Sequence, residues 1–154
     1  MTKTIVIKNR IKPYNKKITV DGDKSLSIRW ALIASQCTGK SKAYNLLMSE
    51  DVIAALDSIK KLGIKVKKYQ NYFEINGNGI NGFKFKKNLV INAKNSGTLG
   101  RLILGLLIKS PYKIKLIGDK SLSKRDFSRI TLPLKKFGAK FYSKTNNHLP
   151  LTIL

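Results

Sequence analysis

A lysine, two serines and an arginine stand at fixed spacing in Gly22-Asp23-Lys24-Ser25-Leu26-Ser27-Ile28-Arg29. Nearly the same eight residues return as Gly118-Asp119-Lys120-Ser121-Leu122-Ser123-Lys124-Arg125. Both stretches lie where helix-type spacing begins, and the chemistry they suit is the holding of a small anion. Free N–H groups at a helix start point outward, the dipole favours negative charge, and Lys and Arg add full positive charge. Gly-Asp-Lys-Ser also makes an ordinary turn and N-cap, but two copies in one short chain weigh against that reading alone. A third stretch, Asn95-Ser96-Gly97-Thr98, has the small and hydroxyl residues that let a ligand approach helix amides closely. Thr38-Gly39-Lys40-Ser41 looks like the end of a nucleotide phosphate loop, yet the glycine such a loop needs upstream is Ala34, and the segment follows a helix. It reads as a helix-ending turn.

These stretches must be positioned by regular elements. Residues 4–7 and 18–20 are β-branched and alternating, around a turn at Pro13-Tyr14-Asn15, and read as one or two strands. From Ser25 to about residue 35, Leu26, Arg29, Trp30 and Ile33 recur at three and four, with Ser25 as the natural N-cap. A strand over 43–47 follows, then a helix opened by Ser49-Glu50-Asp51, with Val52, Leu56 and Ile59 on its apolar face and Gly63 as its stop. Strands over 65–68 and 72–75 lead into a Gly-rich turn over 76–82. The second half repeats this grammar: a strand over 89–92, a helix over 97–108 and a strand over 113–117. A helix over about 126–137 follows, kinked or delayed by Pro133, then strands over 140–143 and 151–154. Ile59-Lys60-Lys61-Leu62-Gly63 matches Leu134-Lys135-Lys136-Phe137-Gly138, and Ser25…Arg29 matches Gly97…Arg101. The repeat is roughly 72–75 residues long, each unit a β-α-β-α-β-β module of α/β class. The two octapeptides fall out of that register. The first opens the leading helix of unit one, and the second opens the trailing helix of unit two.

Composition narrows the chemistry further. The chain has 154 residues and a formal net charge of +23, from 31 Lys plus Arg against 8 Asp plus Glu. The lysines are spread along the whole chain among many Ile and Asn residues, and no zinc-finger or RNA-binding signature accompanies them, so no nucleic-acid partner is expected. Tyr14, Tyr69, Tyr72 and Phe73 sit in strand-like alternation, as core or sheet-face residues. A single cysteine, Cys37, excludes an internal disulfide and reads as a packed thiol; with one histidine, His148, neither a metal site nor a cofactor is expected. The longest apolar run, 102–108, is broken by Gly105 and too short to span a bilayer, and residues 1–17 lack the apolar core of a signal peptide. No membrane association and a cytoplasmic location are the expectation.

In this order the three stretches resemble the 5-enolpyruvylshikimate-3-phosphate synthases, the enolpyruvyl transferases of aromatic amino-acid biosynthesis (the shikimate pathway). That family carries Gly-Asp/Ser-Lys-Ser-x-Ser-x-Arg, then Asn-Ser/Ala-Gly-Thr-x-x-Arg, then Gly-Asp-x-Ser-Leu-x-x-Arg-Pro. Pro133-Leu134…Gly138-Ala139 and Pro150-Leu151-Thr152-Ile153 extend the likeness over essentially the whole chain. The resemblance implies incomplete βαβαββ modules of an inside-out α/β barrel: residues 1–20 packing with a second domain, and 21–154 supplying the first two of three modules, about 21–84 and 85–154. It implies Lys24 as the catalytic lysine touching both substrates, with Ser25 and Arg29 on shikimate 3-phosphate. Gly97 and Arg125 join Lys24 on phosphoenolpyruvate, and Asn95, Thr98 and Arg101 support the loop and helix. The family's proton-transfer carboxylates lie later in the chain, so this segment alone is expected to be inactive. Its expected partners are the two substrates and the remaining C-terminal part, within a monomeric full-length protein. Two other readings stay open: a UDP-N-acetylglucosamine enolpyruvyl transferase, or a non-catalytic basic RNA-binding module of similar repeat architecture. The chain departs from the family at Asp21, Ile28, Trp30, Leu99 and Gly100, and at Asp126, which stands where the family has proline and places a negative charge beside Arg125, with its effect on that arginine's grip left open.

Overall fold

The computed structural model describes residues 4–6, 8, 12–13, 15 and 17–154. Helix α1 (Lys24–Gln36) starts one residue earlier than expected, because its cap is Asp23 and not Ser25. The Asp23 carboxylate accepts the Leu26 N–H at 2.7 Å, meeting one of the four donors a helix start leaves free. Ile28, Ala31, Leu32 and Ser35 recur at three and four and form its buried face. Cys37 ends the helix but is exposed, its Sγ 3.5 Å from the Ile33 carbonyl, which corrects the packed-thiol expectation. It stands beyond the last turn, where the chain has already left the helix and turned extended.

That extension becomes strand β1 (Thr38–Tyr44), so Thr38-Gly39-Lys40-Ser41 is strand and not a helix-ending turn. Helix α2 (Glu50–Lys61) follows, with Glu50 and Asp51 in its first turn and Lys60 and Lys61 in its last, as the dipole favours. Strands β2 (Lys65–Lys68) and β3 (Tyr72–Asn78) complete the first sheet, β3 running on through the Gly77 region expected to turn. Tertiary pairing accounts for both corrections. β1 and β3 pair antiparallel along their length, Thr38 opposite Asn78 and Tyr44 opposite Tyr72. Gly77 also passes against the end of α1, where a Cβ would stand 2.3 Å from the Ala34 and Cys37 carbonyl oxygens. Only glycine fits there.

The second half contains β4 (Leu89–Asn92), α3 (Gly97–Leu106), β5 (Ile114–Ile117), α4 (Lys120–Ser123), α5 (Ser128–Lys136), β6 (Phe141–Ser143) and β7 (Leu151–Ile153). The second octapeptide forms the single turn α4 and not the start of a longer helix. Pro133 lies inside α5, past its middle and exposed. The first sheet has the order β1-β3-β2 and the second β4-β5-β7-β6. Within the second, β5-β7-β6 repeats the order and antiparallel sense of the first, and β4 adds a parallel neighbour to β5. The described residues among 4–20 carry no strand, and Ile5, Val6, Ile18 and Val20 are exposed; Ile7 and Tyr14 of that expectation lie outside the described residues.

Buried side chains of all the long helices and both sheets join in one cluster, with Ile28, Ile59, Ile75, Ile91, Ile103 and Phe127 fully enclosed. Each such side chain contributes about 1.5–3 kcal/mol. Three departures from the family pattern find their reason here. Ile28 and Leu99 are core residues, and Gly100 lets the Phe127 ring approach within 3.4 Å of where a Cβ would stand.

Candidate anion-binding site

Strands β4 and β5 run parallel, so the segments leaving their C-terminal ends emerge side by side, the place where open α/β sheets hold ligands. The first segment leads into α3 and the second into α4. Backbone bonds tie them together: the Ala93 N–H donates to the Ile117 carbonyl at 2.9 Å, and the Asp119 N–H to the Lys94 carbonyl at 2.8 Å. Ser96 is the buried N-cap of α3, its hydroxyl accepting the Leu99 N–H at 3.2 Å. Gly97 opens the helix. A Cβ built on Gly97 would stand 2.9 Å from Nη1 of Arg125. The arginine of the second octapeptide therefore lies directly over the glycine of the third stretch, its exposed guanidinium at the positive end of α3. Residues far apart in sequence become one cationic surface made of a full charge, a helix start and a missing side chain.

Asp119 caps α4, one carboxylate oxygen accepting the Leu122 N–H at 2.7 Å, while the other accepts the Asn95 side-chain amide at 2.5 Å. The Leu122 bond first, then the Asn95 bond, hold its carboxyl below the ordinary 3.8, and the nearby Arg125 charge adds to this. Asp126 does not neutralise Arg125. Its carboxylate accepts the Ser128 hydroxyl and the Ser128 N–H, the latter at 2.8 Å, and these two bonds hold its carboxyl below the ordinary 3.8. Among the described residues no ion pair joins Asp126 and Arg125.

The first stretch forms a separate group. Lys24 reaches across to the first turn of α2, its Nζ 3.1 Å from the Asp51 carboxylate. Asp51 was not among the expected site residues, since nothing local in sequence links it to Lys24. The α1 start is knitted to the 45–47 segment: the Ser27 hydroxyl donates to the Asp23 carbonyl at 2.7 Å and accepts the Leu47 N–H at 3.2 Å. Gly22 fits only as glycine, because its Cβ would meet the Asn45 carbonyl at 2.1 Å. Ser25 is half-buried in the first turn, and Arg29 is exposed one turn on, with no acidic partner among the described residues. Thr98 and Arg101 are half-buried on α3, and Arg101 likewise makes no ion pair among the described residues.

No hydrogen bond or ion pair joins the Lys24 group to the Gly97–Arg125 pair among the described residues; α1 and α3 meet through their packed faces. The site residues lie on open surface. Cavities of about 460 and 380 Å³ are lined instead by Lys61, Lys86 and Lys87, and by Lys115, Tyr142 and Lys144. Among the described residues no group of His, Cys, Asp or Glu could hold a metal ion, and no helix is long and apolar enough to cross a membrane.

Residues 8–154 match the family profile described as EPSP synthase (3-phosphoshikimate 1-carboxyvinyltransferase). A 3-phosphoshikimate 1-carboxyvinyltransferase of Streptococcus mutans is 36% identical over 133 residues, covering 86% of this chain and 31% of that protein. One from Streptococcus pyogenes is 34% identical over 148 residues, covering 96% and 34%. The solved EPSP synthase from Acinetobacter baumannii superposes with a TM-score of 0.81 at 31% identity, covering 90% of this chain and 32% of that one. The chain thus spans about a third of the length of the relatives it matches.

Proposed function

The chain belongs to the EPSP synthase family, and from that premise we propose that it supplies part of the substrate surface of a 3-phosphoshikimate 1-carboxyvinyltransferase. In that reaction the 5-hydroxyl of shikimate 3-phosphate adds to the enol double bond of phosphoenolpyruvate, and phosphate then leaves. The observation that carries the reading is the Arg125 guanidinium over Gly97 at the start of α3. It offers phosphoenolpyruvate a charged fork and free helix amides with no side chain between them. Lys24, Ser25 and Arg29 take shikimate 3-phosphate, Arg29 meeting its carboxylate, and Lys24 stands between the two ligands. The two sheets of like order are two of the modules of the incomplete inside-out barrel, and residues 1–20 pack with the remainder of the enzyme. Proton transfer needs positioned acid–base groups. Glu50 and Asp51 sit at a helix start that the dipole favours, and Asp51 is held by Lys24; on the family pattern the proton-transfer carboxylates come from the remainder of the enzyme.

The names of the relatives favour shikimate 3-phosphate over a UDP-sugar acceptor. Titration of the full chain, followed by amide chemical shifts, tests the reading. Phosphoenolpyruvate should move Gly97, Thr98 and the Arg125 side chain, and shikimate 3-phosphate should move residues 24–29. Movement confined to other residues, or displacement of either ligand by UDP-N-acetylglucosamine alone, would reject it.

A further inference from the structure

The same four-residue opening, Gly-Asp-Lys-Ser, is used twice, and the two aspartates do different work. Asp23 and Asp119 each cap the turn that follows, accepting the N–H of the third residue on at 2.7 Å. Among the described residues that is the only hydrogen bond to the Asp23 side chain. Asp119 spends its second oxygen on Asn95, 24 residues away in sequence, at 2.5 Å. One carboxylate therefore grips two segments. Its own turn carries Arg125, whose N–H donates to the Leu122 carbonyl at 3.0 Å, and Asn95 belongs to the loop that ends in Gly97.

We propose that Asp119 and Asn95 form a latch that sets Arg125 over Gly97, Asp119 being the positioning residue and Asn95 its receiver. Arg125 is exposed, and among the described residues it makes no ion pair that would otherwise fix it. Its placement thus depends on the turn that bears it. Backbone bonds from Ala93 and Asp119 bring the segments together, but they lie before Asn95 on one side and before α4 on the other. Of the hydrogen bonds between the two segments the side-chain bond is the nearest to the two functional residues, beside the buried Leu122 side chain, which packs 3.8 Å from the Gly97 Cβ position. A charged acceptor makes it one of the stronger kinds of hydrogen bond. The carboxylate's low protonation tendency keeps that acceptor charged through the neutral range. The same Coulombic neighbour attracts the Arg125 charge toward the latch without pairing with it, leaving the fork for an anion.

A reciprocal exchange tests this without removing the cap. Asp119→Asn keeps a side-chain oxygen for the Leu122 N–H, since Asn caps as well as Asp, and exchanges the charged bond for a weaker neutral one, because the exposed Asn95 amide can turn its oxygen toward the new donor. Asn95→Asp sets two carboxylates against each other. The double exchange lets the new amide at 119 donate to the new carboxylate at 95. In the wild-type full chain, a nuclear Overhauser contact between the Arg125 side chain and the Gly97 α-protons should be present. Asn95→Asp should lose most of it, Asp119→Asn should weaken it, and the double exchange should restore it. Phosphoenolpyruvate affinity, which depends on the functional reading above, should fall about tenfold in Asn95→Asp, by less in Asp119→Asn, and return in the double. If the contact persists in Asn95→Asp, or is not restored in the double exchange, the latch is wrong. If the contacts follow the latch while wild-type chain ignores phosphoenolpyruvate, the latch stands and the ligand assignment falls.

Discussion

Replacing Gly97 with alanine separates the two roles that a glycine at a helix start can play. The new Cβ would meet Arg125 Nη1 at 2.9 Å, while its other neighbours, Leu122 Cδ1 and Arg125 Cζ, stand at 3.8 and 4.0 Å. Ordinary contact begins near 3.4 Å, so the guanidinium tip must retreat by about half an ångström. That tip ends a flexible, exposed side chain, and its retreat costs the fold little. Alanine is favoured over glycine by roughly 0.5–1 kcal/mol in a helix interior, and at the first position of α3 a smaller gain of the same sign is expected. The variant should therefore unfold at the same temperature as the wild type or slightly above it. Ligand binding should respond in the opposite direction. The methyl group fills the space over the α3 amides and pushes the charged fork off the axis of the helix, and misplacement of about 1 Å can cost as much as a hundredfold. Phosphoenolpyruvate affinity, followed by titration of the full chain, should fall between tenfold and a hundredfold, about 1.4–2.8 kcal/mol. Gly22→Ala is the contrast. There the Cβ meets backbone, the Asn45 carbonyl at 2.1 Å and the Leu47 nitrogen at 2.8 Å, so stability itself should fall by about 1–3 kcal/mol or more. Unchanged phosphoenolpyruvate affinity in Gly97→Ala would show that the guanidinium and helix start do not act together. A large drop in its melting temperature would show that the contact is structural.

Three further outcomes are expected. Lys24→Ala should weaken shikimate 3-phosphate binding at least tenfold, whereas Lys120→Ala, in the single turn α4, should change it less than twofold; equal losses would show that the two octapeptides have been ranked wrongly. Asp126→Asn should leave phosphoenolpyruvate affinity within twofold of wild type, because the Asp126 carboxylate faces Ser128; a clear gain would mean that it does restrain Arg125. Asp119 has a folded-state pKa below its ordinary 3.8, so its stabilising effect is complete above that value and is lost as pH falls through the lower one. The melting difference between wild type and Asp119→Asn should therefore shrink only in that acidic window, and a difference that vanished near neutrality would contradict the assignment.

Much of the fold was legible because local signals and tertiary demands agreed. Glu50-Asp51 and Gly63 bracket α2 with a dipole-favoured start and a left-handed stop, and Ser49 holds the N-cap position although its hydroxyl makes no cap bond. The failures came where long-range pairing overruled local character. Gly39 and Gly77 look like turn residues, yet each sits in a long antiparallel pair, Gly39 opposite Gly77. The site was legible as residue types and not as geometry. Lys24, Gly97 and Arg125 could be named from motifs, but the approach of Arg125 to Gly97 depends on the parallel register of β4 and β5. Asp51 and Asp119 were missed as partners for the same reason: their contacts, Lys24 and Asn95, lie well over 20 residues away. The one available signal was the cap preference of aspartate in Gly-Asp-Lys-Ser, which fixes its turn and says nothing of its second oxygen.

The strand that resembles a phosphate loop has a consequence of another kind. β1 and β2 are the two edges of their sheet among the described residues, and such edges invite the addition of a strand from a neighbouring molecule. Both edges are lined with lysine: Lys40 and Lys42 on β1, Lys65, Lys67 and Lys68 on β2. A second copy approaching edge-on brings its own lysines against these, with like charges inside the screening distance of about 8 Å at physiological salt. The excess positive charge thus opposes the joining of neighbouring molecules sheet to sheet.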